Sequence, residues 1–251
     1  MSTPFHTKGL IIRTVKYGET SLVVSIFTSL FGLQQYMVKG VRTAKKSASF
    51  TASQFQVGNI LELVVYHNDK NTLQHIKECK QPFYFEHLFA DVTKNAVLLF
   101  IIELLQKCIK EPDTAPELYD FIEDIILGLD KATPTQTANI PLFFIVHLSH
   151  FFGFRLMDNY SEEATILDLR EGQFVKQAPL HQMAIVYPKS EIIAQLLRVM
   201  QLEELDQLQL NKHLRNELMD ACLQFYELHI SPFGQMKSLP VIRTLLEVCL
   251  K

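Results

Sequence analysis

The chain has 251 residues, 48% of them hydrophobic, and a net charge of −3, enough for one large or two modest cored domains and no composition for a disordered one. Residues 1–80 hold ten Lys or Arg against four acids, a surplus of +6, which leaves the remainder at −9. A basic first third joined to an acidic remainder points to a polyanion partner for one part and another kind of contact for the other.

The N-terminal stretch MSTPFHTKGL lacks the apolar core of a secretory leader. The longest apolar runs, 96–105 and 140–154, are broken by Glu103 or by His147, Ser149 and His150. Both fall short of the roughly 18 residues of a membrane span. The expectation is a soluble, cytoplasmic protein with no membrane partner, in which the sequon at Asn159 meets no glycosylation machinery. The four cysteines, Cys79, Cys108, Cys222 and Cys249, lie far apart and read as reduced thiols.

Between 8 and 79 the hydrophobic period is two. Leu22, Val24 and Ile26 alternate with Val23, Ser25 and Phe27, and turn residues interrupt at Tyr17-Gly18, Phe31-Gly32, Gly58-Asn59 and 67–71. The spacing predicts about five strands, at 8–16, 20–28, 33–41, 58–67 and 71–79. Five short strands in one small domain favour a barrel, because closure removes exposed edges. The stretch 42–54, rich in Ser, Ala, Thr and Lys, reads as a basic loop between strands.

Pro82 marks a change of regime, and from about Phe85 the period is 3.6. Leu98, Ile101, Ile102, Leu105 and Ile109 make one stripe; Leu214, Leu218, Cys222 and Phe225 make another. Thr114 and Glu117 have capping-box spacing, with Pro116 in the first turn, and Ser190 and Ser238 are expected N-caps. Between 154 and 188 the helical pattern fails, giving an irregular extended insert with a turn at Glu171-Gly172. The fold class expected is α+β: a barrel over 1–80, then a helical domain over 81–251.

Catalytic signals are weak. There is no phosphate-binding GxxxxGK[ST], no GxGxxG on a strand and no GxSxG elbow. His147 and His150 have no third ligand of matching character, and neighbours Phe143, Phe144, Phe151 and Phe152 favour a packed or hydrogen-bonded pair over a metal site. The carboxylates at Glu162-Glu163, Asp168 and 203–206 read as a solvated acidic face. No enzyme and no cofactor is expected.

The basic third carries the positive signal. Arg13 and Lys16 end the first expected strand, Lys39 and Arg42 flank Gly40 at the end of the third, and Lys45 and Lys46 follow. Cations at strand ends of a small barrel can line one groove and neutralise phosphates, while Tyr36, Phe55 or Tyr66 stacks on bases. Core burial is the competing reading for each aromatic.

The string Tyr17-Gly18-Glu19-Thr20-Ser21, then Phe27-Thr28, Gly32 and Val38-Lys39-Gly40-Val41-Arg42, resembles the N-terminal domain of the bacterial RecO recombination mediators. Gly153-Phe154, 168–174 and Met236-Lys237-Ser238-Leu239 match in the family's order, so the resemblance spans essentially the whole chain. It implies an OB-fold followed by a helical domain. It also implies binding of single- and double-stranded DNA, annealing of complementary strands, and work with RecR to load RecA onto strands coated by single-strand-binding protein (SSB). Family members dock the acidic tail of SSB on the helical domain; Arg215, Lys237 and Arg243 are the cations available there, with Lys237 beside a helix N-terminus that favours an anion. Many relatives carry a four-cysteine zinc site after Gly153-Phe154, but 155–179 holds no cysteine, so no zinc is expected and Leu167, Leu169, Phe174 and Val175 are to hold the insert by packing. Two other readings stay open: a general single-stranded DNA- or RNA-binding OB protein, and a scaffold that binds only proteins.

Overall fold

The computed structural model describes residues 3–41, 50–68, 70–110 and 113–248. The chain divides into two compact units, one of 1–86 with 109–127 and one of 87–108 with 128–251.

The first unit contains β1 (Pro4–Tyr17), β2 (Ser21–Thr28), β3 (Gly32–Val38), β4 (Ile60–Tyr66) and β5 (Gln74–Lys80). They close into a barrel in the order β1-β2-β3-β5-β4, with β3 and β5 parallel and β1 returning to β4. This is the five-stranded closed barrel that the alternation and the turn residues predict, and it agrees with the OB-fold that the family resemblance implies. Strand β1 is 14 residues long because it serves two ladders: Pro4–Leu10 pair with β4 and Gly9–Tyr17 with β2. At Gly9, where the ladders overlap, a Cβ would lie 2.5 Å from Ile26 Cγ2 and 2.9 Å from Leu63 Cδ1. Only a glycine lets the two neighbouring strands close in at this point.

The alternate residues Leu22, Val24 and Ile26 of β2 and Leu61, Leu63 and Val65 of β4 fill the barrel, joined by Phe55 from the 3-10 turn Ala52–Phe55. Thr14 Oγ1 donates to the Phe55 carbonyl at 2.7 Å and seats that turn. The fully buried Thr28 explains the threonine before the β2–β3 hairpin turn: its hydroxyl donates to the Gly32 carbonyl at 2.9 Å and accepts from Phe31 N–H at 3.0 Å.

Two helices come next in the chain, α1 (Val92–Cys108) in the second unit and α2 (Pro116–Lys131), whose residues up to Leu127 belong with the barrel. Lys8 Nζ meets Glu123 Oε2 at 2.6 Å and the Tyr119 ring lies 6.0 Å from Phe27, which fastens α2 to β1 and β2.

The second unit is helical, with α3 (Pro134–Leu148), α4 (Lys189–Arg198), α5 (Lys212–His229) and α6 (Ser238–Val248) joining α1. Every residue of α3 from Gln136 to Val146 is buried, the signature of a central helix, and α1 and α5 pack against it. The described helices include none long and apolar enough to cross a membrane. His147 Nε2 lies 2.9 Å from the Leu196 carbonyl and its ring leans on Phe143, so it is a packed, hydrogen-bonded histidine whose burial lowers its pKa.

The insert is extended and turns at Glu171-Gly172 as expected, but it is not irregular: it holds a small sheet, β6 (Ile166–Asp168), β7 (Gln173–Val175) and β8 (Ala184–Ile185), in the order β7-β6-β8. Local polar side chains shape it. Asp168 Oδ1 accepts the Arg170 and Glu171 amides at 2.8 and 3.3 Å, turning the chain into Gly172 at φ +66°. The Asn159 side chain bonds both backbone groups of Phe174, acting as a strand where no strand runs. Leu167, Leu169 and Phe174 are buried beneath, while Val175 is half-buried. Ser190 is not a helix cap; α4 starts at Lys189, and the buried Ser190 hydroxyl donates to the Thr165 carbonyl of the insert.

Replacing Gly9 by Ala forces Ile26 and Leu63 apart at the shared stretch of β1. Urea unfolding is expected to show a loss of about 1–3 kcal/mol, the usual cost of overpacking; an unchanged midpoint would show that the ladders tolerate a side chain there.

Candidate nucleic-acid interface

Register decides which residues of the first three strands face outward. Ile11 pairs with Ile26, but the next pair is Arg13 with Ser25, so Ile12 is an extra residue in β1. The bulge buries both Ile11 and Ile12 and turns Arg13 to the opposite side from Ile11. Ser25 lies between the core residues Val24 and Ile26, and pairs across to Gln35. Arg13, Ser25 and Gln35 therefore form one row on the outer face, and Val15, Val23 and Met37 form the next. Val15 and Tyr17 are 43% and 59% exposed, an apolar and an aromatic group standing in water on that face.

Lys16 belongs to the other set. It pairs with Leu22, which pairs with Val38, both core residues, and it emerges where the ladder ends. Lys39, also exposed, follows Val38 at the same end. Two strand spacings separate β1 from β3, so Lys16 and the start of the Lys39 segment lie about 10 Å apart. Gly40 at φ +73° then turns the chain and Val41 returns to the core. Lys16 and Lys39 thus lie at one end of the β1-β2-β3 sheet, Arg13 stands on its outer face midway along β2, and no acid pairs with them among the described residues. Arg42, Lys45 and Lys46 lie outside the described residues. Two other cations of the basic third are engaged, Lys8 with Glu123 and Lys77 with Glu78 at 3.3 Å.

Tyr36 requires correction as a stacking residue. It is completely buried between the strands, and burial pushes its phenol far above the ordinary value. Phe55 is a core residue for the same reason. In their place the outer face offers Tyr17 and a groove of about 650 Å³ beside the β4–β5 loop, lined in part by Ser25, Gln35, Phe31, His67 and Lys70. The 67–71 segment reads as a turn, but nothing in its spacing ties Lys70 to the row through Ser25; that connection comes from the parallel pairing of Gln74 beside Tyr36.

In the helical unit, Arg215 also requires correction. It is 3% exposed, with Nε donating to Asn139 Oδ1 at 3.1 Å and a terminal nitrogen to the Leu210 carbonyl at 2.8 Å. The same Asn139 donates to the carbonyls of Leu205 and Leu208, so Arg215 is part of a buried strut and not a rim cation. Arg243 is held by Asp220. Lys237 is exposed, but the anion position at the start of α6 is filled from within: Glu103 accepts the amides of Lys237 and Ser238, each at 2.7 Å, and the Ser238 hydroxyl. Among the described residues no group of three His, Cys, Asp or Glu is arranged to hold a metal ion.

Comparison with known proteins covers nearly the whole chain. A family model described as "Recombination protein O N terminal" matches residues 1–83, and one described as "Recombination protein O C terminal" matches residues 90–240. The DNA repair protein RecO of Christiangramia forsetii is 30% identical over 237 residues, covering 94% of this chain and 97% of its own. The proteins of the same name from Flavobacterium psychrophilum and Azobacteroides pseudotrichonymphae are 29% and 26% identical, over 94% and 97% of this chain and 97% and 99% of theirs.

The Glu103 clasp has a pH signature. Partial burial pushes its carboxyl upward, but the hydrogen bonds from Ser238 and Lys237 and the nearby Lys107 outweigh this and lower it. A carboxyl depressed in the folded state stabilises fully above its unfolded value, and the contribution fades as pH falls through the folded one. Melting curves of Glu103→Gln are expected to lie below wild type at neutral pH and to converge with it in acid. A gap that stays constant to low pH would contradict the clasp.

Proposed function

The chain belongs to the RecO family of DNA repair proteins, and on that premise we propose that it is a non-catalytic recombination mediator acting in the cytoplasm on DNA at the nucleoid. Its barrel binds single- and double-stranded DNA through phosphate contacts from Arg13, Lys16 and Lys39, and Arg42, Lys45 and Lys46, which follow in the sequence, are further phosphate contacts in this reading. The observation that carries this reading is three exposed cations on the β1-β2-β3 sheet, Lys16 and Lys39 at one end and Arg13 on the outer face, without acid partners among the described residues. OB barrels bind oligonucleotides on the outer face of their second and third strands and the loops beside it. That face here presents Ser25, Gln35, Val23 and Met37 between Arg13 and the β4–β5 loop.

No bond need be made or broken. One strand is held by its phosphates, a second strand is brought near, and base pairing between them supplies the sequence recognition that the protein does not. In this role the protein anneals complementary strands and, with RecR, helps load RecA onto DNA coated by SSB. The acidic helical unit is the natural surface for protein partners, the SSB tail included. Of the three cations expected at such a pocket, Lys237 remains exposed, whereas Arg215 is buried and Arg243 is paired.

Salt titration of single-strand binding by the intact protein tests the assignment. Lys16→Ala with Lys39→Ala is expected to weaken binding and to flatten the slope of log K against log salt by about 0.7 for each phosphate that is no longer neutralised. Unchanged affinity and slope would remove these lysines from the interface. Annealing that is stimulated on SSB-coated strands separates a mediator from a general single-strand binder, which is expected to be blocked by the coat.

A further inference from the structure

The groove beside the β4–β5 loop differs in chemistry from the cationic end of the sheet. Among the described residues its lining holds two lysines, Lys70 and Lys110, and no carboxylate. The lining also includes the hydroxyls of Ser25 and Thr72, the amides of Gln35 and Asn71, and the rings of Phe31 and His67. Those rings stack on each other, centroids 4.0 Å apart and 15° from parallel, and Phe5 braces Phe31 edge-on at 5.3 Å. A phosphate is bound by concentrated positive charge, whereas an aromatic face among neutral donors and acceptors suits a flat heterocycle.

The groove is also built in advance. Gln74, 2% exposed, donates to the carbonyls of Asn68 and Asn71 at 2.9 and 2.8 Å and accepts the Asn68 amide at 3.0 Å, which fixes the loop as a wall. Gln34 Nε2 donates to the Phe31 carbonyl at 2.8 Å and fixes the turn that carries the ring. A ligand entering here therefore meets walls already ordered and avoids most of the entropy cost of arranging them.

The groove is joined to the cations by register. Ser25, which lines it, sits directly across from Arg13, and Gln35 is one strand further on. Arg13 is thus about 5 Å of sheet away from the groove wall, within reach of the phosphate of a nucleotide whose base enters it.

We propose that this groove is a nucleobase subsite that takes an unpaired base of a single strand, stacked on the Phe31–His67 pair, while Arg13 holds the adjoining phosphate. The inference rests on the nucleic-acid reading of the barrel and adds a strand preference to it. A duplex keeps its base faces covered by stacking and has none to offer; a single strand does. The subsite therefore favours single strands, and the phosphate contacts alone serve duplex.

The test compares an oligothymidine, a strand of equal length made of abasic sugar-phosphate units, and a duplex, each bound by the intact protein at fixed salt. His67→Ala is expected to weaken oligothymidine binding about 10-fold, the scale of one stacked base, with abasic and duplex binding unchanged. His67→Phe keeps a ring and restores the affinity, and Gln35→Ala, at an exposed position, gives a smaller loss in the same direction. Oligothymidine binding unchanged in His67→Ala, or an equal loss on the abasic strand, would overturn the subsite while leaving the phosphate contacts standing. Wild-type protein that binds none of the three would instead overturn the nucleic-acid reading on which it rests.

Discussion

Everything on the barrel's surface depends on one close approach inside it. Strand β1 can pair with both β2 and β4 only because Gly9 puts no side chain between Ile26 and Leu63. Closure there leaves no free edge for another strand to add to. It also sets the register that the rest of β1 must obey, and the bulge at Ile12 then changes which side the following residues face. Without that extra residue Arg13 would point with Ile11 toward the core, where a guanidinium has no partner. The outward cation is thus a consequence of how the barrel closes, and so is its position opposite Ser25.

The two units use charge in opposite ways. In the helical unit buried and half-buried charges are satisfied internally: Arg215 by Asn139 and the Leu210 carbonyl, Lys94 by the Asp130 carbonyl at 2.8 Å, Glu103 by the start of α6. Lys107 bonds the Phe233 carbonyl at 2.7 Å and lies over that residue's ring. Removing one partner from such a group leaves a desolvated charge and is destabilising, so these residues are held to their places by folding alone. On the barrel Arg13, Lys16 and Lys39 have no such partner among the described residues. Their charge is left for the phosphate contacts proposed for the barrel.

The barrel and the helices are legible in the sequence because each has a strong period, two before Pro82 and 3.6 after it. What is not legible is whatever register decides. In β3 the run Gln34-Gln35-Tyr36-Met37-Val38 has polar and large residues at both parities, so nothing local says that Tyr36 faces inward with Val24 while Gln35 faces outward with Ser25. Phe55 has the sequence surroundings of a loop aromatic and is a core residue, because the 3-10 turn carrying it is drawn in by Thr14. Arg215 is hidden for a longer-range reason: its partner Asn139 is 76 residues away. The small sheet of the insert shows in the pattern only as an extended stretch with a turn at Glu171-Gly172, because its strands are two or three residues long, too short to show a period, and are held by side chains such as Asn159 and Asp168.

The most direct measurement of where nucleic acid lies is photocrosslinking of a single strand to the intact protein, with the joined residues mapped by peptide mass. Adducts are expected on Tyr17, on the segment around Lys39, and on the β4–β5 loop at His67 and Lys70, all bordering the outer face of β1, β2 and β3. Adducts confined to β4 and β5 between Glu62 and Tyr66 or Gln74 and Lys80, or to residues 87–108 and 128–248, would put the DNA on another surface and overturn the assignment.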